Sequence, residues 1–269
     1  MAELEAVPSV PDRWEAVHSR PDVILRDGVL HLANASLTPA EATEADLLHL
    51  ADALAAAGVR TVLARTAAGR PILAVDAADR ELAVGAVTRA AAGEPLYAKA
   101  AGSRPVLVAD AGLPLAEGVS AVTLFRPRLE PRGGLRYGAA EGVRLETWRF
   151  GEALVETPAQ NALLRRLTPR ADLALATVER HGRTWTTVAG MFARHPGEFA
   201  ADVDMVFSWV DGSSSEFQRA RARRMAEYVV GDGDDSSARF RHVDELRYAL
   251  RSVHMFAPWV RRIFIATDS

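Results

Sequence analysis

The sequence contains no cysteine, which excludes disulfides, thiolate metal sites and a cysteine nucleophile and leaves only oxygen and nitrogen ligands for a metal. Lysine is almost absent too: Lys99 is the only one, so nearly all positive charge is arginine. No run is apolar for long enough to span a bilayer, and the opening MAELEAVPSVPDRWEAV carries acids and prolines where a secretory leader needs a basic start and an unbroken apolar core. The expected location is therefore cytoplasmic, without a transmembrane segment, and with peripheral membrane association left open. A net charge of -3 gives no bulk attraction to nucleic acid, so any phosphate binding has to be local. What is present is a foldable chain of 269 residues, 49% hydrophobic and 25% charged, enough for one large or two modest domains.

Residues 22–32 (DVILRDGVLHL) place two apolar runs around Asp27-Gly28, a dipeptide suited to a two-residue hairpin turn. Thr38-Pro39-Ala40-Glu41 then combines a capping oxygen, a proline in the first turn and a glutamate able to reach back, ahead of Leu47, Leu50 and Leu54 at helical spacing; Gly58 ends that helix. Residues 59–64 and 71–75 read as strands, and Asp76 caps a second helix to about Ala91. Short β-like runs follow between 105 and 155, residues 161–167 and 171–179 read as helical or mixed, and the glycine-rich RGGLRYG with Arg132 and Arg136 reads as an ordinary hairpin more readily than as a phosphate loop. His31, His49, His181 and His195 lack metal-ligand spacing and read as structural or solvent-facing. The predicted organisation is a small α/β module over 1–200, of unassigned role, joined near Arg194-His195-Pro196-Gly197 to a second domain over 201–269.

Two stretches of that second domain carry the chemistry. In DVDMVFSWVDG, Val203, Met205, Phe207 and Trp209 alternate with a second, largely apolar face, the pattern of a central strand covered on both sides, and Asp211-Gly212 sits at its carboxyl end, where open α/β sheets bind ligands. Ser213 and Glu216 read as a capping box for a helix to about Val230 whose packing face is Phe217, Met225 and Tyr228, and whose arginines 219, 221, 223 and 224 read as a solvated face. The loop GDGDDSS resembles a calcium loop only in composition. In the second stretch Val243, Leu246, Leu250, Val253 and Ala257 form a helical stripe flanked by Asp244, Arg247 and Arg251 on one side and Glu245, Tyr248 and Ser252 on the other; VRRIFIATD then reads as a second buried strand with Thr267 and Asp268 at its end. A right-handed crossover between two parallel strands would bring Asp211 and Asp268 to one edge of the sheet. Carboxylates there suit a divalent cation and forked arginines suit a diphosphate, while the alternative is that Arg247 and Arg251 simply pair with neighbouring acids.

DVDMVFSWVDG and RFRHVDELRYALRSVHMFAPWVRRIFIATDS together resemble the first and second conserved regions of the Stealth family of sugar-phosphate transferases, and the span they bound, 202–269, is about a quarter of the chain. The resemblance implies a GT-A-like, Rossmann-type catalytic domain, incomplete here because family members continue through third and fourth regions. It implies transfer of a hexose 1-phosphate from a nucleotide-sugar donor to a glycan hydroxyl, in exopolysaccharide or capsule biosynthesis, with release of a nucleoside monophosphate and help from Mg or Mn. Carried over by motif, Asp211, His242, Asp244 and Glu245 are the catalytic candidates, Arg241, Arg247, Arg251 and Thr267 the substrate-binding ones, and Asp211 and Asp268 the metal ligands. His242 stands where many members have an aspartate, so either His242 acts as base or Asp244 substitutes. Two other readings stand beside this one: a GT-A glycosyltransferase releasing nucleoside diphosphate, whose DxD would be Asp202-Val203-Asp204 at the wrong end of the strand, and a non-catalytic binding remnant. The chain itself is expected to be a fragment of a larger transferase.

Overall fold

A computed structural model describes residues 15–115, 118–132, 134–194, 201–212, 214–227 and 245–267. The chain divides into two compact units, 1–195 and 196–269, both mixed α/β and consistent with Rossmann-like architecture.

In the first unit the hairpin forms where Asp27-Gly28 places it. Strand β1 (Val23–Arg26) turns into β2 (Val29–Ala33) through Asp27 at φ 52° and Gly28 at φ 76°, the pair of left-handed conformations that this tight turn needs. Helix α1 (Pro39–Ala56) begins at the expected capping box: the Glu41 N–H donates to Thr38 Oγ1 at 3.3 Å, and the Thr38 N–H donates to Glu41 Oε2 at 2.8 Å. Strands β3 (Thr61–Arg65) and β4 (Pro71–Asp76) pair antiparallel, and the Asp76 carboxylate accepts from the Ala78 N–H to open a 3-10 turn that leads into α2 (Arg80–Ala90).

The chain continues through β5 (Tyr97–Ala100), β6 (Val106–Leu107), the helical turn α3 (Val108–Ala111), β7 (Ala121–Phe125), β8 (Arg128–Leu129), β9 (Arg136–Tyr137), β10 (Val143–Phe150), β11 (Leu154–Glu156), β12 (Leu167–Pro169), β13 (Leu175–Arg180) and β14 (Arg183–Val188). The main sheet runs β13-β14-β3-β4-β10-β7-β5-β6, with β4 and β10 parallel, while β1-β2-β8-β9 forms a second sheet. Strand β4 is covered on both sides. Leu73 and Val75 pack with Leu47, Leu50 and Leu54 of α1 and Val87 of α2, whereas Ile72 and Ala74 pack with Trp148 and Val155. Gly142, at the entry to β10, has no room for a side chain: a Cβ there would lie 2.6 Å from Thr123 Cγ2 and 2.9 Å from the Leu124 carbonyl oxygen.

Two expectations change. Residues 161–179 hold no α-helix; β12, a 3-10 turn and β13 occupy their second half, and β13 returns as β14 through His181 and Gly182, both at positive φ. VLVA splits into β6 and the turn α3. The glycine-rich segment does form a hairpin, β8 with β9, and Arg136 is committed to Asp27 at 2.7 Å. Of the histidines, His31 is buried with Nδ1 against the Val29 carbonyl, His181 faces Glu44 at 3.0 Å, and burial pushes the imidazole of His49 below its ordinary pKa; His195 lies outside the described residues.

A buried ion cluster ties α1 to the strands. Asp46, 2% exposed, accepts from Arg126 Nε and Arg128 Nη2, both at 2.8 Å, and Arg126 also reaches Glu94 at 3.2 Å. Asp46 and Arg128 are buried, so each of that pair depends on its partner, while Arg126 and Glu94 stay half-buried.

The second unit contains β15 (Asp204–Ser208), α4 (Ser215–Glu227), α5 (Glu245–Phe256) and β16 (Arg262–Ala266). The two strands pair in parallel from Asp204↔Arg262 to Ser208↔Ala266. The expected central strand is corrected here: it is shorter, it lies in a two-stranded sheet among the described residues, and Val206 is 65% exposed while Ile263, Phe264 and Ile265 are also exposed. Near the start of the ladder Arg261 grips Asp204 with Nε at 2.9 Å and Nη2 at 2.6 Å, and reaches Asp202 at 3.2 Å.

Asp46→Ala should cost about 3–5 kcal/mol in urea unfolding because buried Arg128 and half-buried Arg126 lose their acceptor, against about 1 kcal/mol for Thr38→Ala at the helix cap. Hydrogen bonding to Arg261 holds the Asp204 carboxyl below its ordinary pKa. Its contribution is therefore complete above the unfolded value of roughly 4 and is lost as pH falls through the folded one. Amide protection at Trp209 and Arg261 should drop on acidification, and Asp204→Asn should abolish that dependence; an unchanged profile would show that the clamp does not hold the ladder.

Candidate functional site

The parallel register determines which groups share an edge. Both strands end together, and the Trp209 N–H donates to the Ala266 carbonyl at 2.9 Å, carrying the ladder one bond further. The segments that follow, Trp209–Gly212 and Thr267, therefore emerge side by side at the carboxyl edge, the position where α/β sheets receive ligands. The chain turns at Asp211: the Ser214 N–H donates to the Asp211 carbonyl at 3.0 Å, Gly212 is buried, and Gln218 Nε2 donates to the Gly212 carbonyl. Asp211 itself is half-buried.

Helix α4 starts directly after this turn. The hydroxyl that faces its first turn is that of Ser214, which lies 3.5 Å from the Phe217 N–H, while Ser213 lies outside the described residues. Phe217 is half-buried, as a packing residue should be, but Met225 is 37% exposed, and Tyr228 lies outside the described residues. Arg219 bonds locally to the Ser215 carbonyl at 2.9 Å, and Arg223 and Arg224 are exposed, as a solvated face requires.

Helix α5 presents the expected stripe. Val253 is buried and Leu246, Leu250 and Ala257 are half-buried, while Glu245, Arg247, Tyr248, Arg251 and Ser252 are exposed. Its orientation follows from topology. A short link, residues 257–261, feeds the helix into the start of β16, and the Arg261 N–H donates to the Val203 carbonyl at 2.9 Å. The end of α5 is thus near the amino edge of the sheet. Glu245 and Arg247 stand in the first turn of the helix, with Arg251 one turn further on. Arg241, His242, Asp244 and Asp268, the stripe residue Val243 and the loop 231–237 lie outside the described residues.

Among the described residues no group of three or more His, Asp or Glu side chains is placed to hold a metal ion. Asp211 is the only candidate metal ligand among them, so the donor set for a divalent cation is incomplete there. Sequence reasoning missed the partner of the DVD motif. Asp202 and Asp204 are occupied by Arg261 at the amino edge, opposite the edge that carries Asp211 and Thr267, and the signal was available in the basic pair that precedes β16. No helix among the described residues is long and apolar enough to cross a membrane.

Residues 201–229 match the family description Stealth protein CR1, conserved region 1. The chain is 45% identical over 252 residues to the exopolysaccharide phosphotransferase CpsY of Mycobacterium leprae, covering 93% of this chain and 46% of that protein. It is 46% identical over 252 residues to the CpsY protein of Mycobacterium tuberculosis H37Rv, covering 93% and 47%, and 45% identical over 243 residues to the exopolysaccharide phosphotransferase of Nocardia farcinica, covering 90% and 43%. The chain spans about half the length of these curated relatives. No solved structure matches it. The similarity runs through both units, not only the motif region, and residues 201–229 carry the first conserved region of the Stealth family.

Proposed function

We propose that the unit over 201–269 is the first part of a GT-A-like, Rossmann-type catalytic domain that transfers a hexose 1-phosphate from a nucleotide sugar to a glycan hydroxyl in exopolysaccharide synthesis. The observation that carries this reading is the parallel β15–β16 ladder, which delivers Asp211 and Thr267 to one edge. The relatives, which are exopolysaccharide phosphotransferases, support the reaction class.

In this reaction the acceptor oxygen attacks the phosphorus that bears the sugar, the bond from that phosphorus to the nucleoside monophosphate breaks, and the anomeric bond is untouched. Asp211, His242, Asp244 and Glu245 are the groups proposed to orient the acceptor and take its proton. Arg241, Arg247 and Arg251 balance charge on the phosphoryl oxygens, and Thr267 donates to one of them. Carboxylates are hard oxygen donors of the kind that Mg or Mn prefers, and Asp211 with Asp268 would hold such an ion. A bound ion would supply charge neutralisation on the diphosphate. We place the reaction in the cytoplasm, with the nucleotide sugar and the glycan as partners. Glycosyl transfer through a DxD is disfavoured by the Arg261 clamp on Asp202 and Asp204.

The protein expressed from its complete reading frame, given a UDP-sugar, an acceptor glycan and manganese, should release UMP; release of UDP would instead mean glycosyl transfer. Arg247→Ala should weaken donor binding by about tenfold or more, equivalent to about 1.4 kcal/mol, with the far-ultraviolet spectrum unchanged. Unfolding with unaltered affinity of the folded fraction would make Arg247 a structural residue.

A further inference from the structure

The first unit is hollow at the carboxyl ends of its parallel strands β4 and β10. A cavity of about 480 Å³ opens there, and Arg80, Arg144, Arg149 and Arg166 line it together with the hydroxyls of Ser120 and Thr147. Its volume is in the range of small-molecule sites. Arg80 is the first residue of α2, and Arg166 is brought in by a backbone hydrogen bond from the Thr157 N–H to its carbonyl at 2.9 Å.

The charge is not balanced internally. Glu156 is the one acid among the described lining residues, and it faces Arg149 at 3.6 Å. Arg144 is held by Glu146, a buried carboxylate that also accepts from Trp148 Nε1 at 2.8 Å. That leaves Arg80 and Arg166 without an ion pair among the described residues, and Arg80 Nε is buried with no hydrogen-bond partner. A guanidinium N–H shut away from water without an acceptor costs free energy that a bound anion would offset. The arginines supply the attraction, and their planar forks match the spacing of phosphate oxygens.

The remaining walls select among phosphate compounds. Alanines 77, 100 and 121 leave space, hydroxyls offer hydrogen bonds to other hydroxyls, and no aromatic ring among the described lining residues offers a base a surface for stacking. We propose that this cavity binds a phosphorylated sugar, with Arg80 and Arg166 on the phosphate. The site lies in the first unit and stands whether or not the unit over 201–269 transfers sugar phosphate.

The test is calorimetric titration of the full chain with α-glucose 1-phosphate, inorganic phosphate, sulfate and glucose in chloride buffer. Saturable binding of glucose 1-phosphate is expected, with inorganic phosphate and sulfate weaker and glucose inactive. Arg80→Ala and Arg166→Ala should each weaken it by about tenfold or more, while Arg26→Ala, on the exposed hairpin, leaves it at wild-type strength. Arg166 is exposed, so Arg166→Ala tests the site even where Arg80→Ala fails to fold. Absence of binding, wild-type affinity in Arg166→Ala, or loss confined to Arg26→Ala overturns the proposal. Equal affinity for inorganic phosphate or sulfate removes the sugar from it.

Discussion

The parallel ladder between β15 and β16 constrains everything that can be said about chemistry in the second unit. Its register puts the amino ends together, where Arg261 closes on Asp202 and Asp204, and the carboxyl ends together, where the chain turns through Asp211 and passes Thr267. Had the strands been antiparallel, Asp211 and Thr267 would sit at opposite edges and share no ligand. The acids of one motif are thereby sorted into two roles. Asp202 and Asp204 stabilise the start of the strand, and Asp211 is left at the edge where α/β sheets place their ligands.

The first unit is built on a different constraint. Its burial is organised by β4, whose alternate residues feed two separate apolar clusters, and by Asp46, which holds two arginines against α1. The unit accounts for most of the similarity to the exopolysaccharide phosphotransferases by length, since 252 residues align while the Stealth region occupies only 201–229.

Features decided within a few residues were legible in the sequence. Thr38 to Glu41 contains both halves of its capping box, and Asp27-Gly28 contains its own turn, so neither depends on the rest of the chain. The strand over 204–208 was legible as a strand, but its expected cover on both faces was not, because an apolar pattern reports what could be buried and not what lies over it. Strand β13 escaped notice since its sequence LATVER, on the margin of the sheet, has neither a clean alternation nor an apolar run. Asp46 with Arg126 and Arg128, and the cavity arginines spread from 80 to 166, have no sequence signal; only folding makes them neighbours. Of the residues proposed for the catalytic edge, the ladder accounts for Asp211 and Thr267.

Gly142 gives the first unit a mechanical property. With Thr123 Cγ2 and the Leu124 carbonyl so close to where a Cβ would stand, β10 enters the sheet through a gap without slack. The same strand carries Arg144, Thr147 and Arg149 to the cavity wall a few residues further on. A side chain at 142 would push the start of β10 away from Thr123 and Leu124, two residues upstream of the first cavity-lining arginine of that strand.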